Sequence, residues 1–172
     1  MTNLTGSRAL GILALRLLAG WVFLYAGIEK LIGAEPFSAA GFLQFATAGT
    51  AAGAAEGAIV NPTQPFWIDL ATNTTLMPMV DIIVPVGQVL IGVALIAGLA
   101  TRSAAVMGFL MMGFITIAAW DFAHGFVNYT GFLAIATLLL GVIRAGEVYG
   151  LDAIVDEHPI VKRAPVLRYV LG

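Results

Sequence analysis

Four stretches of the chain are almost unbroken in apolar residues, at 9–31, 79–100, 103–120 and 126–143, and polar residues gather between them. An apolar helix of about 20 residues crosses the hydrocarbon core of a bilayer, so each stretch predicts a span, the last two being short at roughly 18 residues. Only Thr101-Arg102-Ser103 separates the second from the third. One helix through both would far exceed a bilayer, so these residues predict a tight helical hairpin. The first run follows a lone basic residue, Arg8, and no clear Ala-x-Ala signal closes a short apolar core; it reads as a span rather than a signal peptide. No internal repeat at a fixed period is visible. The pattern predicts an all-α integral membrane four-helix bundle, a single domain over 1–172, with a long loop at 32–78 and a tail at 144–172. Within the loop, 36–48 carries Phe37, Phe42, Leu43 and Phe45 among small residues and predicts a short helix on the membrane surface or capping the bundle. The Ala/Gly tract at 49–58 reads as a flexible joint.

Composition supports this reading. Hydrophobic residues make up 60% of the 172 positions and charged ones only 10%, against about 25% charged in soluble domains. The mean hydropathy is +0.96. Too few polar residues remain to cover one soluble core, so lipid must cover part of the surface. The net charge of -2, with eight Lys and Arg scattered along the chain, leaves no basic stripe for nucleic acid. Cysteine is absent, so the chain has no thiol for disulfide relay, a thiolate metal site or an iron–sulfur cluster.

The basic residues set an expected orientation. Arg8, Arg102, Arg144, Lys162, Arg163 and Arg168 fall on one side of the four spans, against Lys30 alone on the other. The positive-inside rule then places both termini in the cytoplasm and the 32–78 loop outside, in a multi-pass protein of the cell membrane. On that outer side, Asn73-Thr74-Thr75 and Asn128-Tyr129-Thr130 match the glycosylation sequon.

Read at helical spacing, each span carries a stripe of small or polar residues. Arg16, Gly20, Phe23, Gly27 and Lys30 share one face of the first helix, and its glycines admit a close neighbour. Arg16 lies roughly 10 Å inside the cytoplasmic end at 1.5 Å per residue, where an arginine must be paired or snorkel to the headgroups. The second span shows Asp81, Pro85, Gln88 and Gly92. Gln88, near mid-membrane, is the expected hydrogen-bonding partner of Arg16. The third span holds Met107, Met111 and Met112, which read as packing, and ends in Trp120, an interfacial anchor in its simplest reading. Asp121, His124 and Asn128 step by three and four and share a face if the fourth helix starts that early. These stripes predict a site in the outer half of the bundle. Its proton-exchanging residues are His124, Asp121 and Asp81, and its ligand-binding ones Arg16, Lys30, Gln88, Asn128 and Trp120. The competing reading leaves the same residues at headgroup depth with no function. His124 and His158 fall on opposite sides, which argues against a bis-histidine haem, and Asp121 with His124 falls short of the three ligands a metal needs.

The run from Arg16-Leu17-Leu18-Ala19-Gly20 through Gly27-Ile28-Glu29-Lys30-Leu31, with Gly87-Gln88-Val89-Leu90-Ile91-Gly92 through Gly98-Leu99-Ala100-Thr101-Arg102, resembles the DoxX family of four-helix membrane proteins. The ending Gly146-Glu147-Val148-Tyr149-Gly150-Leu151-Asp152 is similar to the closing segment of its DoxD-like branch, the small subunit of thiosulfate:quinone oxidoreductase. Two residues depart from the resemblance: Gln88 stands where a glutamate is expected, and Glu147 where an arginine is common. The resemblance implies a membrane subunit that works with a diffusible quinone and a small anion beside a partner subunit or further copies of itself. The chain itself would hold no haem, iron–sulfur cluster or metal. A structural or assembly subunit with no site is the alternative class. Small-solute transport is a third, and four short helices without an inverted repeat give it little machinery.

Overall fold

A computed structural model describes residues 6–47, 61–120, 128–156, 158 and 161. Its helices are α1 (Gly6–Ile32), α2 (Ala39–Thr47), α3 (Gln64–Thr72), α4 (Leu76–Ala97), α5 (Thr101–Ala118), α6 (Tyr129–Val142) and a short α7 (Asp152–Val155), with a 3-10 turn at Ala145–Glu147. The described residues form no strand. Helices α1, α4 and α5 are long and apolar enough to cross a membrane, and α6 is a shorter apolar helix beside them. The protein is an all-α membrane helical bundle.

Helices α1, α4 and α5 overlap the 9–31, 79–100 and 103–120 stretches, and local hydrogen bonds set where the helices start and stop. Helix α4 starts at Leu76 rather than 79 because the Asn73 side-chain oxygen accepts from the amides of Thr75 (3.0 Å) and Leu76 (2.9 Å), supplying partners for a helix start. It stops at Gly98, whose φ of 65° is the left-handed conformation that glycine adopts without penalty. Helix α6 begins only at Tyr129, because Asn128 is its N-cap and accepts from the Gly131 amide at 2.8 Å. Asn128 is therefore a cap residue in extended conformation, before the first helical position of α6. The stretch 121–127, which contains Asp121 and His124, lies outside the described residues, as does the 49–58 tract.

Two seams assemble the bundle. Between α1 and α4, a Cβ on Gly92 would lie 2.5 Å from the Leu24 amide nitrogen, and one on Gly27 2.8 Å from the Pro85 carbonyl oxygen. Backbone meets backbone there because both helices place glycine at the crossing. Between α5 and α6, Gly108 faces Thr137 and Gly141 faces Ala105. Phe23, fully buried, fills the centre with Ile91, Leu95, Met112, Leu133 and Leu140. The outward faces keep Leu18, Trp21, Leu90 and Phe132 more than half exposed, as lipid-facing positions require.

The 32–78 loop holds two helices where one was expected. Trp67 and Ala71 of α3 pack on Ala39 and Leu43 of α2, and Met77 and Ala118 complete this second apolar cluster at the end of the bundle. Asn61 is 1% exposed. Its amide donates to the Ile117 (2.9 Å) and Ala118 (2.8 Å) carbonyls at the C-terminus of α5, and its oxygen accepts from Thr63. The α2–α3 pair thus caps one end of the bundle, hereafter the cap end. The opposite end, carrying Arg102 and Arg144, is the basic end.

Candidate functional site

Among the buried polar side chains of the membrane-crossing helices, Arg16 and Gln88 have opposite surroundings. Arg16 is 1% exposed. Its Nη1 donates to the carbonyls of Ala145 (2.6 Å) and Val148 (2.9 Å), and its Nη2 to that of Tyr149 (3.4 Å). The expected pairing with Gln88 is therefore replaced by the chain that follows α6, and snorkelling is replaced by burial. The 145–149 turn presents three carbonyls toward α1, of which that of Ala145 also accepts from the Val148 amide (3.2 Å), and the forked guanidinium collects them.

Opposite charge arrives from the same segment. Asp152 is fully buried and attracts Arg16 electrostatically. Its Oδ1 accepts from the Ala100 amide (2.7 Å) and its Oδ2 from the Thr101 amide (3.0 Å). Those are orphan donors at the start of α5, where a carboxylate also meets the positive end of the helix dipole. The Leu151 and Asp152 amides donate back to the Ala97 (3.2 Å) and Gly98 (2.8 Å) carbonyls. One clasp therefore joins α1, the α4–α5 turn and the segment after α6. It has no room for larger residues: a Cβ on Gly146 would collide with the Asp152 carboxylate, and one on Gly150 with the Gly146 carbonyl and the Arg16 guanidinium. The 144–172 region is thus no simple tail, since its first residues fold back into the bundle.

Gln88 is 4% exposed, near the middle of α4, and among the described residues its Oε1 has no hydrogen-bond partner. It lies one turn from Pro85 and Gly92, where α1 presses closest, and beside Gly87, whose Cβ position touches Met111 at 2.8 Å. Helix α5 therefore meets α4 beside Gln88 through the Met111 side chain. Around it the core is apolar. An unpaired amide oxygen there costs about 1–3 kcal/mol in desolvation that no protein group offsets.

A string of hydroxyls joins α5 to the start of α6. Thr116 Oγ1 donates to the Met112 carbonyl (2.7 Å) and meets Thr130 Oγ1 at 2.9 Å, while Thr130 donates to Asn128 Oδ1 (2.9 Å). It runs from within the bundle to the start of α6.

Asp81 and Lys30 make local bonds, and Asp121 and His124 lie outside the described residues. Asp81 Oδ1 accepts from the Ala39 amide at 2.6 Å, so this carboxylate holds the start of α2 rather than standing free. Lys30 Nζ donates to the Ala26 carbonyl of its own helix (3.0 Å) and sits 5.6 Å from the centre of the Phe37 ring, which ties α1 to the cap. Trp120 is half-buried just past α5. The structure does not bring Asp81, Lys30 and Asn128 into direct contact, since each is bonded to a different helix end. Among the described residues there is no group of three His, Cys, Asp or Glu that could hold a metal ion. Sequence reasoning missed Asn61, Thr116, Thr130 and the role of Asp152. Only Asp152 left a signal, in the Gly146, Gly150 and Asp152 spacing.

A membrane-embedded helical bundle with a capped end, a clasped end and one unpaired amide between them is the class that this architecture defines. Residues 11–140 match the DoxX family, and the chain belongs to it. The clasp at 144–152 lies just beyond the matched region. No curated protein and no solved structure shows significant similarity to the chain.

Proposed function

We propose that this protein is the membrane subunit of a quinone-linked redox system, similar to the small subunit of thiosulfate:quinone oxidoreductase. In this reading it binds a diffusible quinone in the half of the bundle between Gln88 and the cap. The observation that carries the reading is the unpaired Gln88 oxygen in an apolar, membrane-embedded core. Either end of the amide suits such a ligand, since its oxygen accepts from a quinol hydroxyl and, after rotation, its nitrogen donates to a quinone carbonyl. A glutamine is also the right residue for a lipid-soluble neutral ligand, because a carboxylate at the same depth carries the larger desolvation cost. The chain brings no thiol, so electrons come from a partner subunit and this chain supplies binding and orientation. A role for Arg16 in anion binding is disfavoured, because its guanidinium is taken by three carbonyls.

The test is extraction of the purified protein. Quinone should co-purify with the parent and be lost from Gln88→Leu at unchanged yield. A parent free of quinone, and unable to take up added short-chain quinone, leaves the structural-subunit alternative. The basic-residue bias further assigns the basic end to the cytoplasm and the cap to the outside. Cysteine at Thr72 should react with an impermeant thiol reagent in intact cells and cysteine at Ile154 should not. The reverse pattern overturns the orientation.

A further inference from the structure

Helices α1, α4, α5 and α6 are joined along seams that are closed in different ways. Where α1 meets α4, backbone touches backbone: a Cβ on Gly20, Gly27 or Gly92 would lie 3.0, 2.8 or 2.5 Å from a main-chain atom of the other helix. Such a contact opens only if a whole helix moves. Where α5 meets α6, Gly108 sits against Thr137, whose rotamer is held by the bond from its hydroxyl to the Leu133 carbonyl (2.7 Å). Toward α6, α1 presents the fully buried Phe23, in one apolar cluster with Leu133 and Ala134.

Beside Gln88, α4 and α5 meet through one side-chain tip. A Cβ on Gly87 would lie 2.8 Å from Met111 Cε, and among the described residues that methyl is the one atom outside its own helix neighbourhood that it would meet within 4 Å. A bare stretch of α4 is thus covered by the far end of an unbranched side chain, which changes rotamer without moving either backbone. Met111 also marks the boundary between lipid and core. It packs against the central apolar cluster, while Met107, one turn away on α5, and Ile83 and Leu90, one turn to either side of Gly87 on α4, are more than half exposed. Gln88 is the next residue after Gly87 and is buried. The two ends of the bundle are tied instead, by Asn61 and Asp81 in the cap and by Arg16 and Asp152 in the clasp.

We propose that quinone reaches Gln88 sideways from the bilayer between α4 and α5, by displacing Met111 from Gly87, and that its apolar tail stays in this seam while its ring meets the amide. This route rests on the quinone reading above and narrows its substrate class to quinones that carry a lipid-soluble tail. Such a molecule already resides in the hydrocarbon, where its tail is most stable, and entry from water would first have to draw that tail out. Leu90 and Met107 give the tail an apolar border on the lipid side of the seam.

The test uses the full chain in lipid vesicles and follows exchange of bound short-chain quinone for its deuterated form by extraction and mass spectrometry. The chain has no cysteine, so a Gly87→Cys/Met111→Cys protein can be bridged by oxidation or by a one-carbon bifunctional thiosulfonate, and released again by reduction. The bridge should slow exchange about tenfold or more relative to the same protein reduced, as expected for a locked entrance. Met111→Ala, which leaves Gly87 uncovered, should speed exchange several-fold. A bridge at Thr116→Cys/Thr130→Cys, across the α5–α6 seam where the two hydroxyls lie 2.9 Å apart, should leave exchange unchanged. Equal exchange by the bridged and reduced Gly87/Met111 pair, parental exchange by Met111→Ala, or equal slowing by both bridges overturns the route and leaves binding at Gln88 intact. A parent that takes up no quinone overturns both.

Discussion

Arg16 and Gln88 are both buried polar side chains in membrane-crossing helices, and they differ in what surrounds them. Arg16 meets three carbonyls within hydrogen-bonding distance and the field of Asp152, while the Gln88 oxygen meets no partner among the described residues. The first arrangement uses a charge to close a fold: both terminal nitrogens of the guanidinium are bonded to carbonyls, while its Nε has no partner among the described residues. The second leaves a binding group open at a cost to stability. A polar residue inside a membrane is therefore not by itself a sign of a site; the state of its hydrogen bonds separates a clasp from a candidate anchor.

The comparison can be broken most forcefully at Arg16. Arg16→Leu leaves the Ala145, Val148 and Tyr149 carbonyls and the buried Asp152 without their cation, which should cost about 3–5 kcal/mol and prevent accumulation of folded protein. Size-exclusion and thermal-melting profiles in detergent check this, and a variant that melts like the parent would remove the clasp from the account. Lysine should not rescue, because a single ammonium cannot span carbonyls collected by a fork. Gln88→Leu should have the opposite sign. By removing an unpaired acceptor from an apolar core it should raise stability by roughly 1–3 kcal/mol while quinone retention is lost. A destabilised Gln88→Leu would show that the amide is structurally paired and would collapse the contrast with Arg16. The smallest effect is expected at Asp81. Asp81→Ala removes the acceptor of the Ala39 amide, a loss of about 1 kcal/mol typical of a helix cap, seen as faster proteolysis within the cap at unchanged melting of the bundle. If Asp81→Asn keeps the cap but slows quinone reduction, the carboxylate exchanges protons as well as holding α2.

Much of the fold was legible in the order of residues because hydrophobic length and helical period are local properties. The 9–31 and 103–120 runs locate α1 and α5 to within a few residues, and the Gly20 and Gly27 spacing marks the face that packs on α4. Gln88 and Arg16 were recognisable as inward-facing for the same reason. Their partners were not. The carbonyls at 145, 148 and 149 are turned toward α1 by the short turn after α6, and Arg16 reaches them across 129 to 133 positions of sequence. Helix α3 was missed because Pro65 and short length obscure its pattern, and its stability comes from Trp67 buried on α2.

The sequence by itself determined that lipid surrounds this protein, that its helices are apolar along their length, and that small residues lie where helices cross. Each of these follows from hydropathy and a 3.6-residue period, which need no knowledge of distant contacts. The tertiary structure decided the rest. It spends Arg16 and Asp152 on the clasp, Asp81 and Asn61 on the cap and Asn128 on the start of α6, and leaves the Gln88 oxygen unpaired. Hydrogen bonds discriminate over tenths of an ångström, and only the packed helices bring groups from opposite ends of the chain within that range.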